Sequence, residues 1–585
     1  MGFAESSRDL FGQVHNADIA AALDAIADLL EIAEANRFRI RAYRNASRLV
    51  NSLPEEVSAM MARGDDLDDL PGIGKDLAGK ISDIAHTGTT PLLESLKRGS
   101  PPGLTGLLQF PGLGPHRVHT LHEALGIENR EQLYRALKDG VIHKLPGFGP
   151  KLAERLLHEI AIRPSGEQRI KLATAAQYAE PLLAHLRNLH AVKDAAIAGS
   201  YRRFRETVGD IDIVVSTHEP GDAIEGFIRY PEIREIVAKG STRVSVILRS
   251  GLQVDLRVVP PECYGAALVY FTGSKAHNIA IRRMAQDMGL RISEYGVFRG
   301  SRRVAGLTEK EVYHAIGLPF IPPEIREDRG EITAAQAGEL PKLIEPGDIR
   351  GDLHAHTRAT DGRNSLEDMA AAAKALGYSY LAITDHSRRL TVAHGLDEKG
   401  LAKQIEEIDA FNRKTKGITL LKGIEVDILE DGTLDLPDAI LRRLDIVVAA
   451  VHSKFGLSRA AQTERILHAL DNPCVSVLSH PSGRLIGERE PYDVNMEQVM
   501  RKARNCGAMM ELNAHPDRMD LTDTHCHMAR DMGVRVCLGT DAHSASDLAF
   551  MRFGVGQARR GWLEARHVAN TLPLARLRKA FRRKP

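Results

Sequence analysis

The chain has 585 residues, 43% hydrophobic and 26% charged, with 78 Lys and Arg against 77 Asp and Glu for a net charge of +1. That length asks for several domains, each with its own core, and the balanced charge excludes a protein that holds a polyanion by global charge alone. Five scattered cysteines without C-x-x-C spacing argue against a disulfide frame; with no charged-then-apolar leader and no apolar run near the ~20 residues that span a bilayer, a cytoplasmic protein with no membrane partner is expected.

Residues 18–35 carry Ile19, Leu23, Ile26, Leu29, Leu30 and Ala33 at helical spacing, and the strongly basic Arg37–Arg48 follows. This reads as a small helical domain with a phosphate-facing side. Three related turns come next: Leu70-Pro-Gly-Ile-Gly74, Phe110-Pro-Gly-Leu-Gly114 and Leu145-Pro-Gly-Phe-Gly149. Each is an apolar residue and a turn with two glycines leading into a helix, such as 151–160. Gly72, Gly74, Gly112, Gly114, Gly147 and Gly149 are therefore candidates to aim backbone N–H groups at DNA phosphates without reading sequence. Arg163-Pro-Ser-Gly166 marks a boundary, and a helix from Glu167 to about Leu189 is expected after it.

In Ala198-Gly-Ser-Tyr-Arg-Arg203, Gly199 and Ser200 open a turn that exposes N–H groups and a hydroxyl to a phosphate. Asp210 and Asp212, two apart before Ile213-Val-Val215, fall on one face of a strand, and Asp255 lies on a second alternating run. Three acids on adjacent strands are a candidate site for two divalent ions acting in an in-line phosphoryl transfer. Local charge rises from Tyr270 to Arg303, with seven Lys or Arg against two acids. The proline-, glycine- and acid-rich stretch 319–346 reads as a linker.

From 348 onward short apolar runs alternate with helical stretches, as in a barrel-like α/β fold. Metal-type residues stand where those runs end: His354 and His356, Asp385-His386, Glu425, His452, His480, and Asp541 with His543. In a barrel of parallel strands those ends converge on one face, a multinuclear metal site. The tail from Arg559 to Lys584 has nine Lys or Arg against one acid, fitting either DNA contact or a solvated helix.

The order G-S-x-x-R, D-x-D and a later strand Asp, followed by Tyr270-Phe-Thr-Gly-Ser274, resembles the family X DNA polymerases. The set H-x-H, Asp361, D-H, Glu425, V-H-S, S-H-P and D-x-H resembles the PHP phosphoesterase domain at the end of their bacterial members. The resemblance covers essentially the whole chain. It implies a multidomain α and α/β protein. Its parts would be a lyase-like helix-hairpin-helix domain (1–88), a fingers-like helical domain with two more such motifs (89–165), a nucleotidyltransferase palm (166–265), a thumb (266–325), a linker (326–347) and a PHP domain folded as a distorted (β/α)7 barrel (348–585).

The resemblance also implies the roles. Asp210, Asp212 and Asp255 would hold Mg2+ or Mn2+. Gly199, Ser200, Arg203, Gly273 and Ser274 would bind the triphosphate, Tyr270 and Phe271 would pack on a deoxyribose, Asn278 would reach the base edge, and Arg282 would lie against the template. His354, His356, Asp361, His386, Glu425, His452, His480, Asp541 and His543 would hold Mn2+ or Zn2+, leaving His515, His525 and His527 as supporting residues. Lys80 stands where the family forms a Schiff base, although Asp76 replaces a nearby family lysine. Phe204-Arg205 replaces the Gly-Lys pair of many bacterial relatives. The expected protein is a monomer acting on gapped or nicked DNA and deoxynucleoside triphosphates, filling gaps in base excision repair and trimming 3' ends as an exonuclease, with incision of abasic sites and removal of blocking 3' groups as further expected actions of the PHP half. A 3'-end processing phosphoesterase with a weak polymerase and a non-catalytic DNA-binding scaffold are the alternatives.

Overall fold

Ile19, Leu23, Ile26 and Leu30 recur at the helical period because they form the inner face of one helix, Asn16–Ile32. In the computed structural model, residues 14–581 are described apart from 34, 52, 54, 55, 100–103, 109, 111, 150, 151, 155, 158, 159 and 161–168. The expected boundary at 163–166 and the start of the helix expected from 167 lie outside the described residues. Helices Arg37–Asn51 and Lys75–Thr87 close over the first through Tyr43, Ile81 and Ile84. Gly72, Gly112 and Gly147 take positive φ, which turns the chain so that Gly74 and Gly114 become the N-caps of Lys75–Thr87 and Pro115–Leu125. A second helical core is built around Phe110, Leu121, Leu133 and Phe148.

The central domain begins with the short strand β1 (Ile170–Lys171) and the helix Leu172–Arg187. Strands β2 (Asp194–Ile197), β3 (Thr207–Val208), β4 (Asp210–Ser216), β5 (Ile233–Lys239), β6 (Arg243–Leu248) and β7 (Gln253–Val259) follow. Five form one sheet in the order β2-β4-β7-β6-β5, while β1 pairs only with β3. The parallel β4–β7 ladder sets Asp212 directly beside Asp255. The thumb adds an antiparallel sheet of β8 (Arg291–Ser293), β9 (Gly296–Arg299) and β10 (Arg302–Ala305), packed on helices Tyr264–Thr272 and Glu309–Ala315.

Strands β11 (Gly351–Asp352), β12 (Tyr380–Ile383), β13 (Thr419–Asp427), β14 (Ile446–Ala450), β15 (Val477–Leu478), β16 (Met509–Asn513) and β17 (Val536–Gly539) form a parallel seven-stranded sheet in chain order. A parallel bridge between Ala355 and Ala542 brings its two edges together, so the barrel nearly closes.

Two expectations need correction. The stretch 319–346 is not a free linker: Ile321, Ile325, Ala335 and Leu343 are buried in the thumb core, and the fully buried Arg326 pairs with Glu309 at 2.8 Å while lying over Tyr313 and Phe320. Its prolines and acids masked an apolar series that supplies this core. Nor is the tail a solvated or DNA-facing helix over its described length. Helix Leu574–Phe581 places Leu577 and Phe581 against the barrel interior, beside Tyr380, Leu421 and Val448. Arg559 pairs with Glu324 and Glu345, Arg560 with Glu327 and Asp523, and Arg578 with Asp445.

Candidate active sites

In the palm, Asp210, Asp212 and Asp255 each offer an oxygen within 4.8 Å of the others. Period two along β4 and the register with β7 produce this cluster. Burial, then the charges of Asp210 and Asp255, push the Asp212 carboxyl up to about 7. Burial also opposes ionisation of Asp255, but hydrogen bonds from Ser245, Gln253 (2.9 Å) and Arg243 (3.3 Å) outweigh it and hold that carboxyl below its ordinary range. Three carboxylates crowded this closely fit an added divalent cation.

Gly199 takes φ +60° beside Asp212, and Ala198 N–H donates to the Asp212 carbonyl at 2.7 Å. Arg203 reaches the thumb, donating to the Thr272 carbonyl and pairing with Glu327 at 3.1 Å. A Cβ on Gly273 would lie 3.2 Å from Arg203 Nη1, so Gly273 adjoins Arg203 as Gly199 adjoins Asp212. The Ser274 hydroxyl caps helix Lys275–Asp287 by accepting from His277 N–H, so it is already used locally. Tyr270 and Phe271 meet edge-on at 5.1 Å; Asn278 donates to the Tyr270 carbonyl at 2.7 Å; Arg282 is exposed. Phe204, at φ 54°, lies over Gly556 of the barrel domain. In the first domain, the Lys80 ammonium is bonded to the Asp76 carboxylate one turn away.

The barrel gathers its set at the C-terminal ends of the strands. His356, Asp361, His386 and His543 form one group; His354, His356 and Asp541 a second; His386, Glu425 and His452 a third. His480 joins through Glu425, at 2.9 Å. Several ligand-type atoms here are buried without a hydrogen-bond partner, among them His354 Nε2, His356 Nδ1 and Glu425 Oε2. Imidazoles and carboxylates left unsatisfied around shared points fit two or more Mn2+ or Zn2+ ions.

The charges interlock. Burial opposes protonation of His354, but Glu511, Asp541 and Glu425 outweigh it and hold the imidazole well above its ordinary value. Burial and the neighbouring His543 and His386 push His356 down to about 4. His386 resists burial through Glu425 and Asp361 and rises to about 10. Cations entering this site would displace protons from such imidazoles.

Sequence reasoning missed the residues that orient these ligands. Glu511 on β16 accepts from His354 Nδ1 at 2.6 Å, and Asp427 on β13 from His452 Nδ1 at 2.8 Å. Asp385, which the sequence groups with His386 as metal-type, is instead in none of the ligand groups: it accepts from Thr357, Thr360 and Gln404, fixing the loop that carries Asp361. Arg518 Nε meets Asp541 Oδ2 at 3.2 Å. His515 lies against Phe550, and His527 lies near Trp562 and Asp531; neither belongs to the ligand groups, nor does His525.

Comparison with known proteins agrees with this layout. Family models match for a helix-hairpin-helix domain (14–90), a SAM-like helix-hairpin-helix tandem (104–161), the DNA polymerase beta thumb (267–327) and the PHP domain (352–515). The chain is 39% identical over 565 residues to the DNA polymerase/3'-5' exonuclease PolX of Bacillus subtilis, covering 96% of this chain and 98% of that protein. A probable phosphatase of Thermoanaerobacter sp. is 31% identical over 208 residues, 34% of this chain and 80% of its own length. DNA polymerase lambda of Arabidopsis thaliana is 28% identical over 322 residues, 48% of this chain and 57% of its own. With two metal-type clusters on a palm and a PHP barrel, and a relative matched almost end to end, the chain belongs to the bacterial family X DNA polymerases that carry a C-terminal PHP domain.

Proposed function

We propose that this protein is a DNA polymerase that fills short gaps during repair and a 3'-5' exonuclease that trims the same class of 3' end. The observation that carries the first activity is the register of Asp212 beside Asp255 with Asp210 two residues away. These three acids would hold Mg2+ or Mn2+, which supply Lewis-acid stabilisation of the reacting phosphate. Arg203 would neutralise charge building on the departing pyrophosphate as the primer 3'-hydroxyl attacks the α-phosphate. Tyr270 and Phe271 would limit room at the sugar, favouring deoxynucleotides, while Asn278 and Arg282 would face the base and the template. The turns at Gly72–Gly74, Gly112–Gly114 and Gly147–Gly149 would grip the duplex phosphates.

For the exonuclease, the nine residues from His354 to His543 would hold Mn2+ or Zn2+, ions that make a water nucleophilic near neutral pH. Glu511 and Asp427 fix the ring orientations of His354 and His452, and Arg518 with Asn513 holds one oxygen of Asp541 so that the other faces the histidines. The likeness of this half to a probable phosphatase favours an additional action on blocked 3' ends.

The test uses a 5'-labelled primer on a one-nucleotide gap, with and without deoxynucleotides. Asp210→Ala/Asp212→Ala should lose extension alone, and His354→Ala/His356→Ala should lose shortening alone. A wild type that shortens but never extends the primer would leave the end-processing alternative in place.

A further inference from the structure

The hydrolytic centre is braced from outside its own domain. Strands β1 and β3 of the palm pair antiparallel, with Lys171 opposite Thr207, and Leu172 N–H donates to the Glu206 carbonyl at 3.0 Å. This small ladder presents a cation and an anion side by side. Facing it, the barrel domain presents the opposite order: Lys171 Nζ meets Asp517 Oδ1 at 2.6 Å, and Glu206 takes both terminal nitrogens of Arg484, at 2.6 and 3.2 Å. Crossed charge pairs of this kind fix register between two surfaces.

What they grip is the loop that carries Arg518. The nearly buried Arg484 donates from Nε to the Arg518 carbonyl at 2.9 Å and from Nη2 to the Met519 carbonyl. Asp517 is held a second time through its own carbonyl, which accepts from Ile486 N–H at 2.7 Å. Met519 has φ 40°, a conformation that a non-glycine residue keeps only when its surroundings enforce it, and its side chain is buried in the apolar core of the palm. Arg518 then reaches into the centre, where Nε meets Asp541 Oδ2 while Oδ1 faces His356 Nε2 at 3.1 Å. Hydrogen bonds from a palm carboxylate through Arg484 to the Arg518 carbonyl, and then the Arg518–Asp541 ion pair, thus connect the palm to a residue of the ligand cluster.

We propose that the palm residues Lys171 and Glu206 are positioning residues for hydrolysis: by fixing the 515–519 loop they keep Arg518, and through it Asp541, in the geometry the reaction needs. Phosphodiester cleavage in the barrel therefore depends on contact with the palm even for a substrate too small to touch the DNA-binding domains. This rests on the reading of the barrel site as a phosphodiesterase. Removing Glu206 leaves the Arg484 guanidinium without its counter-ion and loosens both carbonyls it holds; removing Lys171 takes away the 2.6 Å partner of Asp517 and leaves the longer contact with His515 at 3.8 Å.

The experiment measures Mn2+-supported hydrolysis of bis(p-nitrophenyl) phosphate by the full-length protein. Glu206→Gln and Lys171→Ala should each lower kcat about tenfold or more with KM within about twofold, the range seen when the support of a metal ligand is lost. Gap extension should persist, showing that the chain is folded. Lys171→Glu should be impaired, and Lys171→Glu/Asp517→Lys should recover most of the lost kcat. Glu206→Gln should add little to Arg484→Ala, as expected for residues acting in one chain. Unchanged kcat in both single variants, or a charge-reversed pair no better than Lys171→Glu, overturns the inference. Absence of hydrolysis by the wild type, or its survival in His354→Ala/His356→Ala, instead sinks the phosphodiesterase reading and the inference with it.

Discussion

Gly199 lies so close to Asp212 that a Cβ on it would fall 2.4 Å from the carboxylate Oδ2. The glycine also has φ +60°, so a side chain there meets both backbone strain and a collision. Gly199→Ala must displace the Asp212 carboxylate or the turn, and either separates the phosphate-facing turn from the acids. Gap extension should fall by at least about a hundredfold, in line with the cost of misplacing a reacting group by an ångström. Exonuclease shortening, measured on the same primer without nucleotides, should be unchanged.

The Asp212 carboxyl makes the polymerase site pH-dependent. Its value of about 7 in the folded protein lies above the ordinary 3.8, so the folded state binds the extra proton and loses stability as pH rises between those values. Below about pH 4 the group contributes nothing. Without divalent ions, Asp212→Asn should therefore melt above the wild type at pH 8, and the gap should close towards pH 4. For the wild type, the Mg2+ concentration giving half-maximal extension should rise about tenfold per unit as pH falls below 7, because each ion bound must release that proton.

How much of this could be read beforehand depended on whether a residue acts through its neighbours in sequence or in space. Asp210 and Asp212 were legible because strand periodicity alone puts them on one face, and eight of the nine barrel residues because they follow apolar runs; Asp361 was legible only through the family resemblance. Arg326 and Phe320 were not: a buried arginine between two rings exists only through the thumb that surrounds it, and the local composition pointed the other way. The helix Leu574–Phe581 was misread for the same reason, since its two core residues, Leu577 and Phe581, sit among arginines that face outward or meet distant acids. Glu511 was hidden because its partner, His354, is 157 positions away.

Glu511 gives a prediction of its own. Its two oxygens accept from His354 Nδ1 at 2.6 Å, from the Ser479 hydroxyl at 2.6 Å and from His480 N–H at 2.8 Å, so one carboxylate orients the residues that follow β11 and β15. Glu511→Gln keeps the shape but removes the charge that fixes the proton on His354 Nδ1 and frees Nε2 for an ion. Mn2+ affinity, read by titrating exonuclease activity or by calorimetry, should drop about 10- to 100-fold, with primer extension intact. An unchanged Mn2+ requirement would show that His354 needs no such partner.

Lys80 offers the sharpest test of what the first domain does. Its ammonium is bonded to Asp76 one helical turn before it, and a lysine must give up its proton before it can attack an aldehyde carbon. The neighbouring carboxylate occupies the nitrogen that would react. The wild type should therefore give little borohydride-trapped product with an incised abasic site, whereas Asp76→Ala, which releases the amine, should give at least several-fold more. Lys80→Ala in the same background should abolish the gain. Efficient trapping by the wild type, lost in Lys80→Ala, would show that the pair opens when DNA binds and that the lysine is the nucleophile after all.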